Sequence, residues 1–456
     1  MNYKELLKEA QVHGVKKLAA SSHRWQWALA LFALFFCCNV VLWIWVQRYE
    51  DNPTFVVKIG SQIANKPFPA VVISPVVTFP EHRIDAFIKK LDYPSGFNET
   101  YTRKVIQQLG AFFSPDVPYK LADLHNIETI LEYNGLDVEA SGIKLTESCE
   151  ETITRCRWRG RIVKCTDIFE MELTVYGFGC VFNGRSLKRE MKDVHLQRKT
   201  PARKWYGSSG FTSALMLVIN QSLATPFDIN LSYKWLSLKG GHRYVDLSIN
   251  GTPITPGTEL FVGYSTVGLQ IGEETLTLQK DLRRCRTTDE SLKYFPVYNR
   301  KFCIMEREIK RTFKKCGCSQ VVHPRIPGVP VCRARQLQCA RHTTVSYGEY
   351  DDHCPMTCDT EVDYFTAAAY NLDPKSSPYD NFYDDLDYTK VSIVRVYVMN
   401  RNTKMFSRRP YFTRFELFAQ LGGIYNVFFS CSVLLVLELV LLMWYRLKTW
   451  ISSTRT

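Results

Sequence analysis

The chain has 456 residues, of which 46% are hydrophobic and 23% are charged, and its formal net charge is +13. The basic residues are scattered along the chain, so the net charge alone does not indicate nucleic-acid binding. The sequence contains no phosphate-binding loop, no His-Glu-x-x-His and no Gly-x-Ser-x-Gly, and we therefore expect no enzymatic activity. It also contains no internal repeat and no low-complexity segment.

Two long apolar runs lie near the two ends of the chain, over residues 25–46 and 417–445. A bilayer core of ~30 Å requires ~20 helical residues, and both runs reach that length. The first run has no formally charged residue, and the second has one, Glu438. The first run is too long and too far from the start to be a cleaved signal peptide. We therefore predict transmembrane helices over residues 25–46 and 411–445.

The charged residues that flank these runs predict the orientation in the membrane. Residues 1–24 carry five basic side chains against two acidic ones, and residues 446–456 carry three basic side chains and no acidic one. By the positive-inside rule, both termini are cytoplasmic in the plasma membrane. Residues 47–410 then form one extracellular segment, which contains the glycosylation sequons at Asn98, Asn220, Asn230 and Asn250. The short cytosolic tails leave no basic face for a nucleic acid.

The cysteines fall into two groups. Of the 15, Cys37, Cys38 and Cys431 lie within the apolar runs, where we expect inert small side chains. The other twelve lie between the runs, and an even number in an oxidising compartment predicts six disulfides. The alternative is a zinc site formed by the closely spaced cysteines near residue 316. Extracellular cysteines at such spacing are far more often bridged, so we expect no metal.

Between the apolar runs, the sequence predicts a mixed α+β body. β-branched and aromatic residues punctuated by Gly, Pro and Asn predict strands at residues 71–77, 213–220, 227–236, 244–249, 260–262 and 275–278. Charged residues at helical spacing, with few helix breakers, predict helices at residues 84–91, 101–109 and 297–315. The fold class is a membrane protein in which two transmembrane helices flank a large, disulfide-rich α+β extracellular domain.

The second apolar run carries a specific motif. It contains a glycine pair at Gly422 and Gly423, a Ser-Cys-Ser tract over residues 430–432, and Glu438 further on. This order resembles the pore segment of the epithelial sodium channel/degenerin family.

Other parts of the chain extend the resemblance. His13-Gly14 precedes the first apolar run as the family's cytosolic His-Gly motif does. Residues 68–71 (Phe-Pro-Ala-Val) resemble the family's strand after the first helix, and the cysteines from 303 to 358 resemble its cysteine-rich thumb. The motifs occur in matching order, and the short tails and cysteine contexts are most similar to the insect pickpocket branch.

The resemblance implies a central β-sheet body with a helical finger and thumb. The extracellular segment would divide into a finger-like region (80–185), a β-rich core (186–280), a thumb-like region (285–358) and a return strand (389–410).

The resemblance also implies disulfide pairings. These are Cys285–Cys358, Cys303–Cys354, Cys316–Cys339, Cys318–Cys332 and Cys156–Cys165, which leaves Cys149 with Cys180 as the remaining pair. The chain departs from the family where Ser74 replaces a frequent cysteine. It also lacks a further thumb bridge, at Arg307 and Asp352. Loss of both partners fits a disulfide framework, because an orphan thiol is reactive.

Residue roles follow from the same resemblance. Ser430, Cys431 and Ser432 would form the selectivity filter, because hydroxyls and carbonyls can replace the water around a dehydrated cation. Ala419 falls at the small-residue position near the gate. The alternative for these positions is ordinary packing between membrane helices.

Further pore residues are implied by the family motif. Gly422 and Gly423 would permit close helix approach or unwinding at the outer mouth. Glu438 would form a negatively charged ring, or alternatively snorkel toward the cytosolic interface. His13 and Gly14 would line the cytosolic pore, or alternatively belong to a solvated tail.

The resemblance thus implies a subunit of a homo- or heterotrimeric, sodium-selective, amiloride-sensitive-type channel, opened by an extracellular chemical, osmotic or mechanical stimulus. Its expected partners are related subunits, the lipid bilayer and an unidentified extracellular ligand or force, and it needs no cofactor beyond the permeant Na⁺. The alternative is a non-conducting accessory subunit or a cell-surface receptor anchored by two helices. An ATP-gated channel shares the two-helix topology but does not explain the order of the motifs.

Overall fold

The structure is a computed structural model that describes residues 23–63, 67–74, 79–115, 117–174, 177–186, 204–205, 209–221, 234–240, 244, 251–345, 354–373, 380–400, 402–430, 432, 437, 440 and 444. The chain divides into two compact units. The helical unit comprises Met1–Val57, Ile271–Arg284 and Ser407–Thr456, and the sheet unit comprises Lys58–Gln270 and Cys285–Phe406.

The described helices, in chain order, are α1 (Arg24–Asp51), α2 (Glu81–Ile88), α3 (Glu99–Val105), a 3₁₀ helix (Ile106–Phe112), α4 (Leu121–Tyr133), α5 (Val138–Leu145), α6 (Cys149–Thr152), α7 (Glu273–Leu276), α8 (Lys280–Arg283), α9 (Arg300–Cys316), α10 (Ala334–Val345) and α11 (Arg414–Phe429).

The strands are β1 (Thr54–Ile63), β2 (Ala70–Ser74), β3 (Ile153–Trp158), β4 (Arg161–Val163), β5 (Phe169–Thr174), β6 (Gly177–Phe182), β7 (Leu215–Asn220), β8 (Lys234–Lys239), β9 (Gly251–Ile254), β10 (Thr258–Ile271), β11 (Cys285–Arg286), β12 (Met356–Thr357), β13 (Thr360–Asn371), β14 (Val391–Val398) and β15 (Asn402–Pro410).

In the helical unit, α1 is the one described helix that is long and apolar enough to cross a membrane. Most of its side chains are exposed, as expected of a lipid-facing helix. At its C-terminal end, Trp45 and Tyr49 contact the ring of Phe412, at centroid distances of 5.3 and 6.4 Å. The backbone N–H of Tyr411 donates to the carbonyl of Pro53 at 2.9 Å. These contacts join the end of α1 to the segment that enters α11.

The sheet unit contains two main sheets around one apolar core. One sheet has the strand order β1-β15-β10-β14-β7-β3-β4, with β13 paired to β10, and the other has the order β5-β6-β2-β8-β9. Alternation along β7 directs Leu215, Leu217 and Ile219 into the core. Val71 and Ile73 of β2 enter the same core from the second sheet. The sheets draw strands from well outside the region 186–280.

The finger helices α2–α5 form a second core that they share with the thumb. Val321, Val322, Ala334 and Leu337 of the thumb are buried in that core. The Arg341 guanidinium of α10 donates to the carbonyls of Ala111, Ser114 and Val117, and lies 4.9 Å from the centre of the Tyr119 ring. Finger and thumb are therefore joined by both apolar packing and charge-assisted hydrogen bonds.

Six disulfides are present in the sheet unit, and their pairings are the same as those inferred from the sequence. They are Cys149–Cys180, Cys156–Cys165, Cys285–Cys358, Cys303–Cys354, Cys316–Cys339 and Cys318–Cys332. Cys37 and Cys38, within α1, are unbridged.

The expected strand at 275–278 is wrong. Residues 273–276 form the short helix α7, with Gly272 as its N-cap residue and Glu273 and Glu274 in the first turn, where carboxylates favour a helix N-terminus. The strand expected at 260–262 lies near the start of a much longer strand, β10. The strands expected at 227–236 and 244–249 lie largely outside the described residues.

A buried ion pair lies where the finger meets the two sheets. The Lys234 ammonium, on the first residue of β8, lies 2.7 Å from the Glu147 carboxylate, and the two side chains are 0% and 3% exposed. Lys234 also donates to the carbonyl of Asn220 at the end of β7. Burial raises the pKa of Glu147 and lowers the pKa of Lys234, and each charge opposes the shift of the other. Removal of one partner leaves an uncompensated buried charge.

We expect Lys234→Met to destabilise the sheet unit by about 3–5 kcal/mol, because Glu147 loses its counter-charge. Lys390→Met is the matched control. Its partner Asp387 is 49% exposed, so the loss is at most about 1 kcal/mol. Thermal unfolding of the purified full chain measures both. The double variant with Glu147→Leu recovers most of the stability. Equal effects of Lys234→Met and Lys390→Met contradict the prediction.

Candidate functional site

Helix α11 begins at a capping box. The backbone N–H of Glu416 donates to the Thr413 hydroxyl at 3.3 Å, and the backbone N–H of Thr413 donates to the Glu416 carboxylate at 2.7 Å. This reciprocal pair satisfies two N–H groups that have no partner within the helix. The start of α11 is thereby fixed immediately after the aromatic residues that contact α1.

Helix α11 ends in the middle of the second apolar run. Ser430 has the left-handed conformation, with φ 50° and ψ 35°, and its N–H donates to the carbonyl of Asn426 at 2.8 Å. A non-glycine residue in this region costs roughly 1–2 kcal/mol. Beyond it, Leu437, Val440 and Trp444 are again helical. The first residue of the predicted filter is therefore the point at which α11 ends.

One face of α11 packs against α1 of the same chain. Leu417, Leu421, Ile424 and Phe428 are half-buried and recur at helical spacing, and α11 packs against α1. The large side chains Phe418 and Tyr425 flank this face and are exposed.

The opposite face is lined by small and polar residues. Ala419, Gly422, Gly423, Asn426 and Ser430 recur at intervals of three, one, three and four residues, which places them on one side of a helix. A Cβ atom added at Gly422 or Gly423 would meet no described atom of this chain within 4 Å. Each glycine costs about 1 kcal/mol relative to alanine in a helix. Packing among the described residues gives no reason for this cost.

The structure thus brings Ala419, Gly422, Gly423 and Ser430 to one face. Ser432 is described and exposed but is not part of a helix. The other expected pore positions, His13, Gly14, Cys431 and Glu438, lie outside the described residues.

Asn426 was missed by sequence reasoning. Its carboxamide is exposed on the small-residue face, one turn before the break at Ser430. The available signal was its spacing, seven residues after Ala419 and four before Ser430, which places it on the same side of a helix as both.

Residues 6–442 match the sequence model of the amiloride-sensitive sodium channel family. The chain belongs to this family. Its relatives include the sodium channel protein Nach of Drosophila melanogaster, which is 23% identical over 91% of this chain and 81% of its own length. Pickpocket protein 19 of Drosophila melanogaster is 24% identical over 95% of this chain and 89% of its own length.

A proton-activated chloride channel solved by cryo-EM covers 91% of the chain and 97% of its own, with 8% identity and a TM-score of 0.32. The amiloride-sensitive sodium channel family consists of ion channels, so the chain is a channel-family protein and not an enzyme. Among the residues that the structure describes, no cluster of His, Cys, Asp and Glu could hold a metal ion.

The orientation of α11 predicts which positions contact water. We expect Asn426→Cys in the assembled protein to react with a small, charged methanethiosulfonate, whereas Leu421→Cys does not, because Leu421 packs toward α1. Mass spectrometry of the labelled membrane protein measures the modification, with the unsubstituted chain giving the background from its own thiols. Labelling of Leu421→Cys alone reverses the assignment of the two faces.

Proposed function

We propose that the chain is a subunit of a trimeric, sodium-selective, amiloride-sensitive-type cation channel of the plasma membrane, opened by an extracellular stimulus in sensory or epithelial cells. In this proposal both termini are cytoplasmic and residues 47–410 are extracellular. The observation that carries it is the helix break at Ser430, inside a chain that matches the channel family from residue 6 to residue 442.

The break supports the proposal because a cation that leaves water must be resolvated by oxygen atoms. A helix end supplies carbonyl groups without intrahelical partners, and serine hydroxyls add further oxygens. In three converging copies, Ser430, Cys431 and Ser432 would present rings of such groups around one axis. Irregular backbone at membrane depth is tolerated where it lines an aqueous cavity.

The small-residue face supports association of several copies. The space beside Gly422 and Gly423 is open among the described residues, and small residues allow membrane helices to approach closely. The opposite face is already packed on α1, so the small-residue face is the one available for the axis. Glu438 and the His13-Gly14 motif remain proposals, as an inner charged ring and a cytosolic pore lining.

A bulky side chain on the small-residue face should hold the pore open. We expect Ala419→Phe to give a constitutive, amiloride-sensitive sodium current in oocytes, because the larger side chain keeps converging helices apart. Tyr425→Trp adds bulk on the other side of α11 and serves as the control. Silence of Ala419→Phe alone, with current only when a relative is co-expressed, favours the accessory or heteromeric alternative. Silence under both conditions, with normal surface expression, contradicts the proposal.

The left-handed conformation of Ser430 gives a second test. Ser430→Gly keeps this conformation accessible and retains the carbonyl, so we expect a conducting channel with a changed Na⁺/K⁺ permeability ratio. In Ser430→Val the side chain is β-branched, which strongly disfavours positive φ, and we expect loss of current at equal surface abundance. Reversal potentials and surface biotinylation measure the two effects. Normal permeation in both variants argues against a filter at this position.

A further inference from the structure

Four sequons lie in the proposed extracellular segment, and two of them, at Asn98 and Asn220, lie among the described residues. Their surroundings differ in ways that affect whether the asparagine can carry a glycan.

N-glycosylation forms a bond from the asparagine Nδ2 atom to the anomeric carbon C1 of a lipid-diphosphate-linked oligosaccharide. The bond from C1 to the diphosphate oxygen breaks, the lipid diphosphate leaves with the electron pair, and Nδ2 releases a proton. Nδ2 must afterwards tolerate a bulky, hydrated substituent.

Asn98 meets this requirement. It is the exposed N-cap residue of α3, and its Oδ1 atom accepts from the N–H of Tyr101 at 2.8 Å. Because the cap uses the oxygen, Nδ2 is not needed for it, and none of the described residues accepts a hydrogen bond from that atom. The next two residues of the sequon, Glu99 and Thr100, are also exposed. A glycan on Nδ2 leaves the helix cap in place.

Asn220 does not meet it. Its Nδ2 atom donates to the carbonyl of Glu151 at 3.3 Å, and its own carbonyl accepts from the buried Lys234 ammonium. The residue lies at the end of β7, in register with Val391 of β14. Gln221, the middle residue of the sequon, is buried and donates to Ile254 and Ser392. A glycan at this site would compete with the contacts around the buried ion pair.

We infer that the folded protein at the cell surface carries an N-linked oligosaccharide on Asn98 and none on Asn220. The transferase acts on the chain before folding is complete, so the structure selects among modified chains. Chains modified on Asn220 fail to complete the junction of β7, β8 and α6 and remain inside the cell. This inference rests on the proposed extracellular placement of residues 47–410.

The test uses the full-length chain expressed in cultured mammalian cells. Surface protein is isolated by biotinylation and deglycosylated enzymatically in ¹⁸O-water, which converts each glycosylated asparagine to labelled aspartate. Peptide mass spectrometry then reads each site. We expect labelled Asn98 and unlabelled Asn220 in the surface pool. Labelled Asn220 in that pool overturns the inference.

Two variants check the same point without disturbing the asparagines. Thr100→Ala and Ser222→Ala each destroy one sequon and leave the asparagine contacts intact. We expect Thr100→Ala to lose one glycan from the surface protein, seen as faster migration on a denaturing gel. We expect Ser222→Ala to migrate as the unsubstituted chain does. A loss of one glycan in Ser222→Ala contradicts the inference independently of the peptide analysis.

An introduced sequon separates this inference from the proposed topology. Arg159 has φ 52° in the exposed turn between β3 and β4, a conformation that asparagine tolerates. The double substitution Arg159→Asn with Arg161→Thr creates a reporter sequon there. A glycosylated reporter with unmodified Asn98 contradicts the inference and leaves the extracellular placement of residues 47–410 intact. An unmodified reporter together with unmodified Asn98 contradicts the proposed extracellular placement itself.

Discussion

The sheet unit depends on one apolar core that two β-sheets enclose. Residues on alternate positions of β7 and β2 enter it from opposite sides, and Cys156, Cys165 and Cys180 are buried within it. Each fully buried aliphatic or aromatic side chain contributes about 1.5–3 kcal/mol. The disulfide Cys149–Cys180 joins α6 to β6, and Cys156–Cys165 joins β3 to the turn before β5, so both connect segments that packing already holds together. The buried pair Lys234–Glu147 lies at the margin of this assembly, where finger, β7 and β8 meet.

The connection that precedes β14 is held in place by its packing on the first sheet. Phe382, in the connection before β14, is fully buried against Met216 and Val218, on the outer face of β7. Arg157 of β3 contacts the Phe382 ring and pairs with Asp380, and this guanidinium lowers the pKa of Asp380 to about 2. Because the folded-state pKa is depressed, this pair is intact at neutral pH and is lost only as the pH falls toward 2. The outer face of the sheet is thereby covered.

In the helical unit, the two sides of α11 differ in both composition and packing. The side toward α1 is apolar and half-buried, and the opposite side carries only small or polar residues from Ala419 to Ser430. A membrane helix with this division can hold one neighbour within its own chain and leave a narrow, polar face for others. The break at Ser430 occurs on that second face. Ser430 is therefore both the residue at which α11 ends and a member of the small-residue face.

Residue composition and spacing predicted several elements with bounds close to those observed. The helix expected at 297–315 is α9, at 300–316, and the strand expected at 213–220 is β7, at 215–220. The length of β10 was missed because Gly263 and Gly268 look like strand breakers. A Cβ at Gly263 would lie 2.7 Å from Met399, and one at Gly268 would lie 2.5 Å from Met405. Those glycines allow close approach by strands distant in sequence, which no local pattern reveals.

The candidate site was likewise only partly predictable from local sequence patterns. The family motif identified Ala419, Gly422, Gly423 and Ser430, but not that they share a face opposite α1. Asn426 escaped notice because it belongs to no motif, and only helical geometry groups it with the others.

The shared core of finger and thumb has a mechanical consequence. Arg341 donates to three carbonyls, one in the 3₁₀ helix and two in the segment after it, and thumb side chains are buried in the finger core. If α10 moved along the finger, the Arg341 guanidinium would lose its three hydrogen bonds and buried apolar side chains would become exposed. Relative sliding of the two regions is therefore opposed by both kinds of contact.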